Sequence, residues 1–135
     1  MRVLAIAVCL LVVTACVEKS PTGPTVPFNQ QVTLARSQVA TVAGSNVRLQ
    51  FVAVTGDSRC PADALCILGG DALVEVRASS GNSTTAYQLH TGNASLASAT
   101  HDSVRFSLVQ LQPYPFSSRT ISPDEYRATL EITRP

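Results

Sequence analysis

The chain has 135 residues, with 10 Lys+Arg against 9 Asp+Glu, a formal charge of +1, and 45% apolar residues. That length fits one domain with little to spare, and the near-neutral balance excludes the basic face that nucleic-acid binding requires as well as electrostatic docking on a membrane. No run of like charges and no internal repeat is present.

Residues 1–15 carry a single charge, Arg2, followed by an apolar run over 3–13 and the small residues Thr14 and Ala15. A basic start, an apolar middle and a small-residue cleavage site make up the grammar of a secretory signal peptide. The run is shorter than the roughly 20 apolar residues of a membrane-crossing helix, so export is favoured over a permanent helical anchor. Val13-Thr14-Ala15-Cys16 resembles the lipobox of bacterial lipoproteins. The resemblance implies that Cys16 takes a diacylglycerol, and later palmitate-type acylation, and becomes the first residue of the mature chain. The alternative is an ordinary signal peptide with a chance cysteine. Each acyl CH2 placed in lipid is worth about 0.8 kcal/mol, and several chains together anchor stably. Val17 stands where lipoproteins kept at an inner membrane typically carry Asp, so an exported protein anchored to the bacterial envelope, at the outer membrane, is expected. Loss of Arg2 with the leader leaves equal numbers of basic and acidic side chains.

Residues 17–30 contain Pro21, Gly23, Pro24 and Pro27 and follow neither apolar period. Proline-rich segments are extended spacers of roughly 3 Å per residue, so residues 16–30 are expected to be a lipidated cysteine and its tether, with the folded domain over 31–135.

That domain is patterned for β structure throughout. Residues 32–34 and 38–42 read as short opening strands. Residues 46–54 alternate, with Val47, Leu49, Phe51 and Ala53 on one face and Asn46, Arg48 and Gln50 on the other, the period of a half-buried strand. Residues 71–78 repeat this with Ala72, Val74 and Val76 against Glu75 and Arg77, and residues 84–90, 103–111 and 126–132 continue it, the last with Tyr126, Ala128, Leu130 and Ile132 inward. Turn residues separate the runs, among them Gly69-Gly70-Asp71, Ser80-Gly81-Asn82 and Pro113-Tyr114-Pro115. The expected fold is all-β, an antiparallel immunoglobulin-like β-sandwich of about seven strands, with a small closed β-barrel as the alternative. Asn82-Ser83-Thr84 and Asn93-Ala94-Ser95 match the N-glycosylation pattern, but the bacterial lipobox makes both asparagines turn residues.

Catalytic and metal chemistry finds little footing. His90 extends the outward set of its strand with Gln88, and His101 falls in a polar loop over 98–103; neither has metal-ligand spacing. No nucleophile elbow, phosphate loop or dinucleotide fingerprint occurs. Asp57, Asp63 and Asp71 could gather around calcium, but without a calcium-loop spacing. Asp124 and Glu125 are adjacent carboxylates, yet Ser122-Pro123-Asp124-Glu125 spells a capping box with proline at the first helical position, and a single capped turn before the last strand is expected. No enzyme activity, cofactor or metal is expected.

The remaining signal is the stretch DSRCPADALCILGGDALVEV over 57–76. Cys60 and Cys66 could form a disulfide, a redox pair or part of a metal site. Redox centres use a CxxC pair at a helix N-terminus, metal binding lacks partners, and Cys9 and Cys16 are lost to the leader and the lipid. An exported chain is oxidised, so a Cys60–Cys66 disulfide is favoured. Arg59 is expected to pair with Asp57 or Asp63 at the surface, contributing little. The string D-S-R-C-P, four residues, then C, then glycine and an alternating strand, is similar to a group of small bacterial lipoproteins of unassigned activity. The similarity extends to Leu89-His90-Thr91, Leu111-Gln112-Pro113 and Tyr126. In that group the pattern continues C-V-W-A-G, whereas Cys66-Ile67-Leu68-Gly69-Gly70 lacks the tryptophan. It implies an exported, lipid-anchored domain with this disulfide and no activity. Two functions follow as expectations: a non-enzymatic binding or structural module with an envelope protein or glycan as partner, or an inhibitor of a secreted or periplasmic hydrolase that presents Pro61, Ala62, Asp63, Ala64 and Leu65 as a rigid loop.

Overall fold

The computed structural model describes residues 23–135; the expected leader over 1–15, the lipid site Cys16 and the tether to residue 22 lie outside the described residues. The strands are β1 (Thr25–Val26), β2 (Gln30–Ala35), β3 (Val39–Val42), β4 (Val47–Asp57), β5 (Ala72–Ser80), β6 (Ser83–His90), β7 (Ser98–His101), β8 (Val104–Gln112) and β9 (Arg127–Thr133), with 3-10 turns at Ala94–Leu96 and Pro123–Glu125.

They form two sheets, ordered β1-β3-β4-β5-β6 and β2-β9-β8-β7, packed as a β-sandwich rather than closed into a barrel. Within each sheet the order largely follows the chain, because period-two runs joined by short turns pair with their sequence neighbours at the least loop-closure cost. Every pair is antiparallel except β1 with β3. The second sheet is completed by the chain's two ends: β2 pairs β9 from Gln30↔Ile132 to Ala35↔Arg127.

The inward sets read from the sequence meet between the sheets. Phe51, Leu49, Leu34, Phe106, Leu130 and Ile132 are fully buried there, and Tyr87 stands edge-on to Phe106 at 5.4 Å between centroids. Burial of each such side chain is worth about 1.5–3 kcal/mol, which makes this layer the main stabilising term. Two strands depart from strict alternation; in β8 a register shift between Leu108 and Gln110 turns Leu111 inward. A register shift between Phe51 and Ala53 re-aims the end of β4, so Ala53 leaves the core and Val54 packs against it. An extra residue in one strand of a pair reverses which faces the following side chains occupy.

Two boundaries also differ from expectation. The domain starts before residue 31: Val26 is buried, Thr25 pairs Thr41, and Gly23 lies so close to Val39 that a Cβ on it would fall 1.7 Å from the Val39 carbonyl oxygen. An isolated two-residue strand carries no sequence period, so composition alone made it tether. The second is β7, read as a polar loop; its four residues SATH pair with β8 from Ser98↔Ser107 to His101↔Val104. Ser122–Glu125 forms the expected turn, with Pro123 first and the Ser122 N–H donating to the Glu125 carboxylate at 2.7 Å.

The hairpin from β4 to β5 closes through Gly70, at φ 69°. Here the Ser58 N–H donates to the Asp71 carbonyl at 2.7 Å, and a Cβ on Gly70 would meet the Ser58 carbonyl oxygen at 1.8 Å. Gly69 has open space around it. Gly70→Ala is therefore expected to lower unfolding free energy by about 2 kcal/mol or more, and Gly69→Ala by under about 0.5 kcal/mol, read by urea denaturation; equal losses at both positions would contradict this turn.

Candidate functional site

The end of the sandwich reached by β4 and β8 carries the cysteine stretch. Cys60 and Cys66 are joined in a disulfide, with Cα atoms 6.0 Å apart and a sequence separation of 6. Closing so short a loop removes about 2 kcal/mol worth of unfolded-chain entropy in the loop-entropy model. The loop is also held by its backbone. The Cys60 N–H donates to the Gly69 carbonyl at 3.1 Å, the Ala62 N–H to the Pro115 carbonyl at 2.9 Å, and the Ala64 N–H to the Pro61 carbonyl at 3.0 Å. Asp63 accepts from the Ser117 N–H at 2.8 Å and the Ser117 hydroxyl at 3.0 Å, and the Ser117 N–H holds its carboxyl below the ordinary value.

Beneath the loop lies the main correction to the sequence reading. Arg59 is only 8% exposed and forms no surface pair. Its Nε and Nη2 grip the two oxygens of Asp57 at 2.8 and 2.7 Å, while Nη1 and Nη2 also donate to the carbonyls of Leu111 and Pro113 at 2.8 and 2.9 Å. The Tyr126 hydroxyl donates to the same carboxylate at 2.9 Å, and the guanidinium sits 5.2 Å from the Tyr114 ring centroid. The clasp joins the end of β4 to the end of β8 and the start of β9 across the two sheets. A buried guanidinium is tolerated only when its donors are matched, and among the described residues no buried side-chain polar atom lacks a partner. The sequence signal was present in D-S-R-C, but burial of an arginine is a tertiary property. Burial pushes the Asp57 carboxyl up, but bonds from the Arg59 side chain and backbone and from Tyr126 outweigh it and hold it below the ordinary value. Burial and the Asp57 charge push the Tyr126 phenol up to about 12.

Above the clasp the loop turns apolar. Leu65, Ile67 and Leu68 are 106, 103 and 81% exposed, and Tyr114 and Phe116 on the adjoining segment are half exposed. Three aliphatic side chains left in water forgo about 1.5–3 kcal/mol each, on a loop that holds no charge from Ala64 to Gly70. Of the expected contact residues, Leu65 points fully into solvent, Pro61 is half-buried and Asp63 is tied back to Ser117. Ile67 and Leu68, just past the second cysteine, were not among them.

The titratable groups elsewhere are engaged structurally. Asp71 holds His90 Nδ1 at 2.5 Å, the Gly92 N–H at 2.7 Å and the Thr91 hydroxyl at 3.2 Å. Burial raises its carboxyl, but the Gly92, His90 and Thr91 bonds together keep it below the ordinary value. Asp57, Asp63 and Asp71 thus serve separate partners and do not converge as a calcium site would need. His101, read as a loop residue, is buried at the end of β7, with Tyr87 Oη 3.1 Å from Nδ1 and Ser80 Oγ 3.3 Å from Nε2. Ser80 also bonds Asp102, so serine, histidine and aspartate meet here. The aspartate contacts the serine and not Nδ1, which reverses the orienting role of a hydrolase triad. A cleft of about 810 Å³ flanks β8, lined in part by Gln110, Tyr114, Arg119, Glu125 and Arg127. Its charges are occupied, Arg119 pairing Glu125 and Arg127 Nη1 bonding the carbonyls of Asp124 and Tyr126. No known protein family matches the chain, and neither does any curated protein or solved structure.

Arg59→Met removes the guanidinium donors of the Asp57 carboxylate and of the Leu111 and Pro113 carbonyls and is expected to cost about 3 kcal/mol, measured by urea unfolding; a loss under about 1 kcal/mol, as for a surface pair, would contradict the clasp. Asp57 titrates lower in the folded state, so its contribution is present above about pH 4 and is lost as pH falls through the folded value. Tyr126 titrates higher, so its contribution is intact below about pH 10 and is lost as pH rises from about 10 to about 12. The stability contributed by these two groups should be level from about pH 5 to 9 and fall on both sides, and Tyr126→Phe should remove the alkaline fall attributable to this phenol.

Proposed function

We propose that the protein is an exported lipoprotein, anchored to the bacterial envelope through Cys16, whose β-domain has a non-enzymatic binding or structural role played at the stapled-loop end of the sandwich. The observation that carries the reading is the pairing of a stiffly built base with an apolar tip. A disulfide, three backbone hydrogen bonds and the buried Arg59 clasp hold a loop whose largest side chains stand in solvent. A segment ordered this way loses little entropy on contact. Catalysis finds little support: His90, Asp57, Asp63 and Asp71 bond to fold residues, and at the buried His101 the exposed Asp102 carboxylate bonds Ser80 rather than Nδ1. The lipobox resemblance and the apolar leader support the address.

The second reading is inhibition of a secreted or periplasmic hydrolase, and full exposure of Leu65 on a disulfide-held loop is what favours it. A side chain presented to a protease pocket needs that rigidity.

The envelope reading is checked by mass spectrometry of the protein from its native membrane. The N-terminal peptide should begin at Cys16 and carry diacylglycerol, and Cys16→Ala should abolish the added mass and release the chain from membrane fractions. An unmodified wild-type Cys16 would overturn the anchor. A panel of purified secreted proteases and glycosidases tests the second reading, since inhibition through the loop must disappear in Leu65→Asp.

A further inference from the structure

We propose that the loop carrying Leu65, Ile67 and Leu68 docks on the bilayer that holds the Cys16 lipid, an inference that rests on the lipid-anchored reading above. Direction and reach carry it. β1 runs parallel to β3, and β3 runs antiparallel to β4, so the chain followed backwards from Thr25 to Gly23 advances the same way as β4. Gly23 abuts Val39, which pairs Gln50. The remaining rise of β4 from Gln50 to Asp57, at the base of the loop, is about 23 Å. A chain from Gly23 back to Cys16 can span at most about 24 Å. The anchor is therefore connected to the domain on the side of the loop, its full extension about equal to the distance to the loop's base, and this length does not let the domain stand far from its lipid.

The chemistry of the tip fits a lipid interface better than a shaped protein pocket. Three aliphatic side chains project from a convex turn, and a fluid interface accepts a protrusion without a matching cavity. No charge lies between Ala64 and Gly70, so entry desolvates no ion. At the base of the loop the Cys60, Ala62 and Ala64 N–H groups are bonded within the protein. Behind the tip, half-exposed Tyr114 and Phe116 stand on the segment whose Pro115 carbonyl accepts from Ala62, and tyrosine is favoured at the headgroup level. Opposite, the pole with the Gly81-Asn82 turn offers no large exposed apolar side chain among the described residues.

The chain contains no tryptophan, so a single introduced one reports on its own position. In mature protein carrying Cys16→Ser, which removes the lipid, Ile67→Trp should shift its emission to the blue on addition of phosphatidylcholine vesicles and be quenched by brominated lipid. Asn82→Trp, at the opposite pole, should do neither. Flotation with the same vesicles should recover Cys16→Ser protein with little dependence on salt. Recovery should fall about tenfold or more when Leu65, Ile67 and Leu68 are all changed to serine, side chains whose exposure leaves the core untouched. No vesicle-dependent shift at Ile67→Trp would overturn the inference. A shift that instead follows protein concentration without vesicles would also overturn it, assigning the loop to a second copy of this chain. Acylation at Cys16 is read separately by mass, so failure of the loop and failure of the anchor are distinguishable.

Discussion

The Arg59 guanidinium is the interaction on which this end of the molecule depends. A two-sheet sandwich is held across its middle by apolar side chains, but at its ends the strands part and their carbonyls need other partners. Arg59 supplies donors at once to the Asp57 carboxylate and to the carbonyls of Leu111, near the end of the opposing sheet's β8, and of Pro113, just past it. Asp57 in turn is fixed by Tyr126 at the start of β9. One planar cation thus joins three strand ends at one end of the hydrophobic core, where Leu111 and Tyr126 are buried. Lysine, a point donor on a flexible stem, could not make the same set of bonds.

The disulfide and the clasp act at successive levels. The clasp sets where the loop leaves the sandwich, Gly70 lets it return to β5, and the Cys60–Cys66 bond holds the turn between them. What is left over is apolar and uncharged, and the fold gives it no neighbour. Natural surfaces scatter exposed apolar side chains singly, and a group of three on one loop is the feature on which the proposed contact rests. The polar groups nearby, Asp63 with Ser117 and Asp71 with His90, bind inward. The loop is accordingly built as a rigid base with an apolar end.

The sandwich was legible in advance because alternation over 46–54, 71–78 and 126–132 names a buried face directly, and the turn residues mark where each run ends. Where alternation failed, pairing had overruled it. The β4 bulge exchanges Ala53 for Val54 in the core, β1 is too short to show a period, and β7 is a polar edge strand recruited by β8. The cysteine pairing was legible for a different reason, since a process of elimination left one partner for each sulfur. The site was legible only in part. Leu65 lay within the expected contact segment, but Ile67 and Leu68 fell between the second cysteine and the Gly69-Gly70 turn, outside it, and their exposure is a tertiary property.

By itself the sequence determined the period-two runs, the turn positions, the capped turn at Ser122 and the candidate lipid cysteine, because each depends on residues adjacent in the chain. Tertiary structure alone decided that Arg59 is interior, that His101 is a buried β7 residue bonded to Tyr87, and that three aliphatic side chains stand in water at the pole toward which the chain leads back from β1. Burial and direction are properties of how distant segments meet. An arginine after an aspartate looks like a surface pair until the carbonyls of Leu111 and Pro113 arrive beside it.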